Sequence, residues 1–99
     1  MARRSQMEIL IDILKAVAEG KEKPTHIMYR ANLSWIRLKK QLNFLLNQEL
    51  LLEISVDNGT IYKMTPKGKE VLEYFKRLEG ELYNKKTKTL PTEVYAHYK

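Results

Sequence analysis

The chain has 99 residues, with 18 Lys and Arg against 12 Asp and Glu, and a formal net charge of +6. That length holds one small domain, and 43% hydrophobic with 30% charged residues is the balance of a globular chain rather than a disordered one. With no cysteine, a disulfide framework, a thiolate nucleophile and a Cys-based zinc site are excluded. No apolar run approaches the ~18 residues of a membrane span. Met-Ala-Arg-Arg-Ser at the start lacks the apolar run of a signal peptide, so an intracellular protein is expected. A basic excess of this size in a small domain points to a polyanion, most commonly nucleic acid.

Met7, Leu10, Ile11, Leu14, Val17 and Ala18 recur at helical spacing and predict a first helix. Ser5 and Glu8 have the spacing of a capping box, and Gly20 ends the helix. Ile9 and Ile13 widen the apolar face, so contact on two sides is expected. Pro24-Thr25 opens a short second helix running from Thr25 to about Ala31, with Ile27, Met28 and Ala31 facing inward. Asn32 breaks it, because Asn tolerates the left-handed backbone of a tight helix-to-helix turn.

Ser34 is the N-cap of a third helix running from Trp35 to about Gln48. Leu38, Leu42 and Leu45 form its apolar stripe, flanked by Trp35 and Leu46. The opposite face carries Arg37, Lys40, Asn43 and Phe44, with Ile36 and Lys39 at its edges. Lys39 and Gln41 lie nearer the packed side. Leu50–Val56 reads as a strand, Asp57-Asn58-Gly59 as a turn and Thr60–Met64 as the returning strand, which makes one β-hairpin. Thr65-Pro66 then starts a last helix. Its seam of Val71, Phe75, Leu78 and Leu82, widened by Leu72 and Tyr74, predicts packing against another helix. The segment 85–99 reads as a basic linker and tail.

The expected class is therefore mainly α with one hairpin. Residues 1–65 form a winged helix-turn-helix, residues 66–84 a C-terminal dimerisation helix, and residues 85–99 the tail. The charge follows this order. Lys23–Gln48 holds Lys23, Arg30, Arg37, Lys39 and Lys40 and no acidic residue, and it spans the two helices of the helix-turn-helix. Arg37 and Lys40 are expected to reach the groove or phosphates of duplex DNA, and Asn43 suits adenine in the major groove. Arg30 suits a phosphate clamp, Ser34 places a helix N-terminus where an anion can sit, and Lys39 adds to the neutralised charge. Arg3 and Arg4 could trail along the backbone of the DNA.

Tyr29 and Trp35 are expected to buttress the turn rather than to stack on single strands. Phe44, on the outer face, marks a dimer or partner contact. The hairpin holds acidic Asp57 at its tip and Lys63 as its one base, so little wing insertion is expected. His26 and His97 are 71 positions apart and make a poor zinc site. No nucleophile–base pair, glycine-rich phosphate loop or metal-ligand spacing is present, so neither catalysis nor a cofactor is expected, and no small-molecule ligand is evident.

Thr-His-Ile-Met-Tyr-Arg-Ala-Asn-Leu-Ser-Trp at Thr25–Trp35 and Tyr-Lys-Met-Thr-Pro-Lys-Gly-Lys-Glu-Val-Leu at Tyr62–Leu72 carry a resemblance. The chain resembles the archaeal winged helix-turn-helix proteins, most of all the small 10a-type DNA-binding chromatin proteins of Sulfolobus. The likeness runs from Met7 to Leu82. It implies double-stranded DNA binding, a chromosome-associated location, and a homodimer made by antiparallel pairing of the C-terminal helices. The role implied is that of an architectural chromatin protein or a transcriptional regulator. The alternative is a winged helix used for protein–protein contact, with an incidental basic face. In the family the last helix is long; here Pro91 and a Lys/Thr-rich stretch cut it short.

Overall fold

The computed structural model describes residues 4–83, and the side chains of residues 4–81. Its elements are α1 (Gln6–Ala18), α2 (Pro24–Ala31), α3 (Trp35–Asn47), β1 (Leu51–Val56), β2 (Gly59–Met64) and α4 (Pro66–Tyr83). The expected basic linker and tail at 85–99, with His97, lie outside the described residues, as do Asn84 and Arg3.

Local chemistry sets most of the boundaries. Ser5 Oγ accepts the Glu8 backbone N–H at 3.1 Å, and Glu8 Oε1 accepts the Ser5 N–H at 2.8 Å, which closes the capping box. Gly20, at φ 94°, follows the end of α1. Pro24 occupies the first turn of α2, where its missing N–H costs nothing. Asn32 adopts the left-handed conformation, at φ 57°, between α2 and α3. Ser34 Oγ then accepts the Arg37 N–H at 3.3 Å and caps α3.

The core draws on every element. Ile13, Leu14, Ile27, Leu38, Leu45 and Leu51 are its largest fully buried side chains. α1 contacts α2, β2 and α4, the contact on more than one side that its wide apolar face predicts. Ile9 and Ile13 are buried, whereas Met7 and Ala18 at the two ends are exposed. β1 and β2 pair antiparallel with Ile54 opposite Ile61 and Val56 opposite Gly59. Gly59 is thus the first residue of β2, and Asp57-Asn58 is the turn. Leu50 falls outside β1, because Glu49 turns left-handed (φ 62°) and the Leu50 N–H closes back on the Leu45 carbonyl at 2.9 Å.

The wing is anchored at both ends. The Tyr62 N–H donates to the Glu22 carbonyl at 3.0 Å, fixing β2 to the α1–α2 connection. Thr65 Oγ1 donates to the Glu49 carbonyl at 2.7 Å and accepts the Gly68 N–H at 2.9 Å. This joins the start of α4 to the α3–β1 turn. Gly68 has no room for a side chain there, since a Cβ would run into the Leu50 carbonyl. α4 continues through Gly80 to Tyr83 and buries Leu72 in the core.

Candidate nucleic-acid interface

Thirteen residues of α3 divide cleanly by periodicity. Leu38, Gln41, Leu42 and Leu45 are buried. Gln41, expected nearer the packed side, does pack inward, and its Oε1 accepts the Gln6 Nε2–H at 3.2 Å. At about 100° per residue, the line farthest from this core is Ile36, Lys40, Asn43 and Asn47. All four are exposed. Arg37 flanks that line on the side of Phe44, and Lys39 flanks it on the side of Trp35; both are exposed.

Arg37, Lys39, Lys40 and Asn43 are thus brought together on one solvent-facing side of α3, with the exposed Ser34 capping its N-terminus. None of the three cations forms an ion pair with a described residue. Ile36 belongs at the centre of this surface rather than at its edge. At 79% exposure it is the most exposed large apolar side chain among the described residues. The spacing 36, 40, 43 carried that signal, but an apolar residue type draws attention toward the core.

Arg30 stands apart from this group. Its Nε and Nη2 donate to the two oxygens of Glu19 at 2.7 and 2.8 Å, a bidentate pair across the α1–α2 connection. The hydrogen bond from Arg30 holds the Glu19 carboxyl below its usual range, and Glu19 in turn holds the Arg30 guanidinium charged more firmly. Lys63, the one base of the hairpin, donates to Glu22 Oε2 at 2.8 Å. Tyr62 donates to Glu53 Oε2 at 3.1 Å, and burial followed by the Glu53 charge pushes its phenol pKa upward.

Arg4 does not trail outward. Its Nη1 meets Asp12 Oδ2 at 2.8 Å and the Ala31 carbonyl at 2.7 Å, and its Nη2 donates to the Asn32 carbonyl at 2.9 Å. One side chain therefore ties α1 to the turn of the helix-turn-helix. Nothing in the local sequence around Arg4 signals this, because the two carbonyls it binds at the turn lie 27 and 28 positions away.

The two aromatic residues beside the turn also correct the expectation. Tyr29 is 77% exposed and buttresses nothing. The eight residues of α2 bury only the stripe of Ile27 and Ala31, and Tyr29 falls off it. Trp35 is 47% exposed and lines an open groove with Pro24, Met28, Val56 and Ile61, between the start of α3 and the wing.

The seam expected on α4 is divided. Val71 and Phe75 are half-buried against the chain's own core, Leu78 is exposed, and Tyr74 stands in solvent. Leu82 lies in the last turn of α4, and its side chain is outside the described residues. Met7, Ile11, Phe75 and Leu78 line a second open groove, between α1 and α4.

Three helices with a capped third helix, followed by a two-stranded wing and a closing helix, define a winged helix-turn-helix protein. The chain belongs to the winged helix-turn-helix family, whose pattern matches residues 3–82. It is similar to two proteins of Methanocaldococcus jannaschii described as uncharacterized. MJ0287 is 37% identical over 81 residues, which cover 82% of this chain and 72% of that protein. MJ0290 is 33% identical over 81 residues, covering 82% of this chain and 36% of the relative, so the chain spans little more than a third of that protein's length. Among solved structures it is similar to Sso10a-2, a DNA-binding protein from Sulfolobus solfataricus, with a TM-score of 0.65 and 29% identity. That likeness covers 84% of this chain and 90% of Sso10a-2. No described helix is long and apolar enough to cross a membrane, and no described cluster of His, Asp and Glu could hold a metal ion.

Proposed function

We propose that this chain binds double-stranded DNA without catalysing a reaction, with α3 as the recognition helix in the major groove. The observation that carries this reading is the clustering of unpaired cations on one acid-free helix. Arg37, Lys39 and Lys40 project from α3 with no described acid beside them, in a segment without Asp or Glu. Arg4, Lys15, Arg30 and Lys63 are each held by a carboxylate, and the unpaired cations of α4, Lys67, Lys69, Lys76 and Arg77, share their helix with Glu70, Glu73, Glu79 and Glu81. Unpaired cations on one face release counterions from a duplex when they meet phosphates. Lys40 and Asn43 are the candidate base readers on the outermost line, Arg37 and Lys39 flank them, and Ser34 brings the helix N-terminus to the backbone. Arg30 joins the contact only by exchanging Glu19 for a phosphate. The likeness to Sso10a-2, described as DNA-binding, supports the reading.

The partner of the open groove between α1 and α4 is a second copy of the chain, which makes a homodimer through Phe75, Leu78 and Leu82 with Val71 behind them. The role that follows is an archaeal regulator or architectural protein of the chromosome. Anisotropy titration of a labelled duplex against its single strand tests the first part. The duplex is expected to bind tighter, and Arg37→Ala with Lys40→Ala is expected to remove the preference. Sedimentation at micromolar concentration tests the second, with a dimer expected and a monomer contradicting it.

A second reading has its own observation. Leu52, Ile54 and Val56 alternate along β1 and are all exposed, so the wing presents an apolar face. A wing used for protein–protein contact would leave duplex affinity indifferent to Arg37 and Lys40.

A further inference from the structure

Resting on the reading of α3 as a recognition helix, we infer that Ile36 is a specificity residue that packs on the C5-methyl group of thymine. Ile36 sits at the second position of α3, on the line that also holds Lys40 and Asn43. It is 79% exposed in the free protein, so most of its side chain faces water with no partner in the fold. Burial against a duplex would recover that apolar surface.

The surroundings select the occupant. Arg37, Lys39 and Lys40 lie within four positions of Ile36, and no acidic residue stands between Lys23 and Gln48. An apolar protein partner would have to bury three unpaired cations, whereas a duplex neutralises them. Among the groups a major groove exposes, the thymine methyl is the apolar one; the other base edges offer donors and acceptors. A β-branched side chain at the head of the helix can press on a methyl group and can donate no hydrogen bond. Lys40, one turn further on, suits the acceptors of guanine, and Asn43 suits adenine. The line therefore reads as methyl, then cation, then amide. This predicts a sequence preference with thymine at the position facing Ile36, rather than uniform coating.

Uracil is the probe, because it differs from thymine by that methyl alone. Wild type and Ile36→Ala are titrated by anisotropy with an alternating dA–dT duplex and with the same duplex carrying dU for every dT. Wild type is expected to bind the thymine duplex about fourfold tighter, the value of one buried methyl. Ile36→Ala is expected to bind both equally, and Ile36→Val to keep most of the difference. Circular dichroism checks that the variants fold, which an exposed site favours. Equal binding of both duplexes by wild type overturns the inference while leaving α3 as a DNA-binding helix. A discrimination that survives Ile36→Ala overturns the assignment to Ile36. Failure of wild type to bind either duplex at low salt overturns the reading of α3 itself.

Discussion

The third helix and the wing adjoin in sequence and treat charge in opposite ways. α3 has three exposed cations, no acid, and no ion pair to a described residue. The wing has Glu53 on β1, Asp57 at its turn, and one cation, Lys63, already joined to Glu22 at 2.8 Å. Its exposed side chains include three apolar ones on β1, Leu52, Ile54 and Val56. The difference teaches that the net charge of +6 is an arrangement as much as an excess. Arg4, Lys15, Arg30 and Lys63 fasten the fold through carboxylates, and the cations on α3 stand unpaired in a segment without acid.

The comparison breaks most severely at the joint between the two regions. Gly68 backs the α3–β1 turn, and an added Cβ would meet the Leu50 carbonyl, a backbone atom that cannot rotate away. Alanine within a helix is ordinarily favoured over glycine by about 1 kcal/mol. Here the clash exceeds that gain, and Gly68→Ala is expected to destabilise the protein by about 1–3 kcal/mol. Urea unfolding with an unchanged m-value checks it.

Glu19→Gln sharpens the comparison by giving α2 the property of α3. The Arg30 hydrogen bond depresses the Glu19 pKa, so the pair forms above the ordinary carboxylate range and is lost only as pH falls through the lower folded value. At neutral pH Arg30 is therefore held, and only substitution frees it. Duplex affinity is expected to rise about threefold to tenfold, with a salt slope steeper by about one. An unchanged slope would place Arg30 away from the DNA.

The smallest effect belongs to the wing. Lys63→Ala removes a cation that Glu22 already neutralises, at an exposed pair of the kind typically worth about 0–1 kcal/mol. Duplex affinity is expected to change by less than about twofold, and a tenfold loss would mean that the wing shares the DNA contact.

Much of this was legible from residue types at short spacing. The capping box of Ser5 and Glu8, the left-handed Asn32, the Ser34 cap and the Asp57-Asn58 turn each depend on neighbours within a few positions. The apolar stripe of Leu38, Leu42 and Leu45 follows from helical period alone. What stayed hidden depends on tertiary placement. Glu19 meets Arg30 across 11 positions, and Glu22 meets Lys63 across 41. Composition counts such cations as free when the fold has paired them. Aromatic residues mislead in the same way, since Tyr29 could pack or project and its type does not say which. Val71 and Phe75 show the converse, because a seam that suggests a partner helix is partly used on the chain's own core.

The salt dependence of duplex affinity tests the central claim most directly. Wild type and the Arg37→Ala, Lys40→Ala double variant are titrated with one duplex across a series of salt concentrations. The plot of log affinity against log salt is expected to lose about two units of slope in the variant. Parallel lines, with equal slopes for both proteins, would contradict the assignment of α3 as the surface that meets DNA.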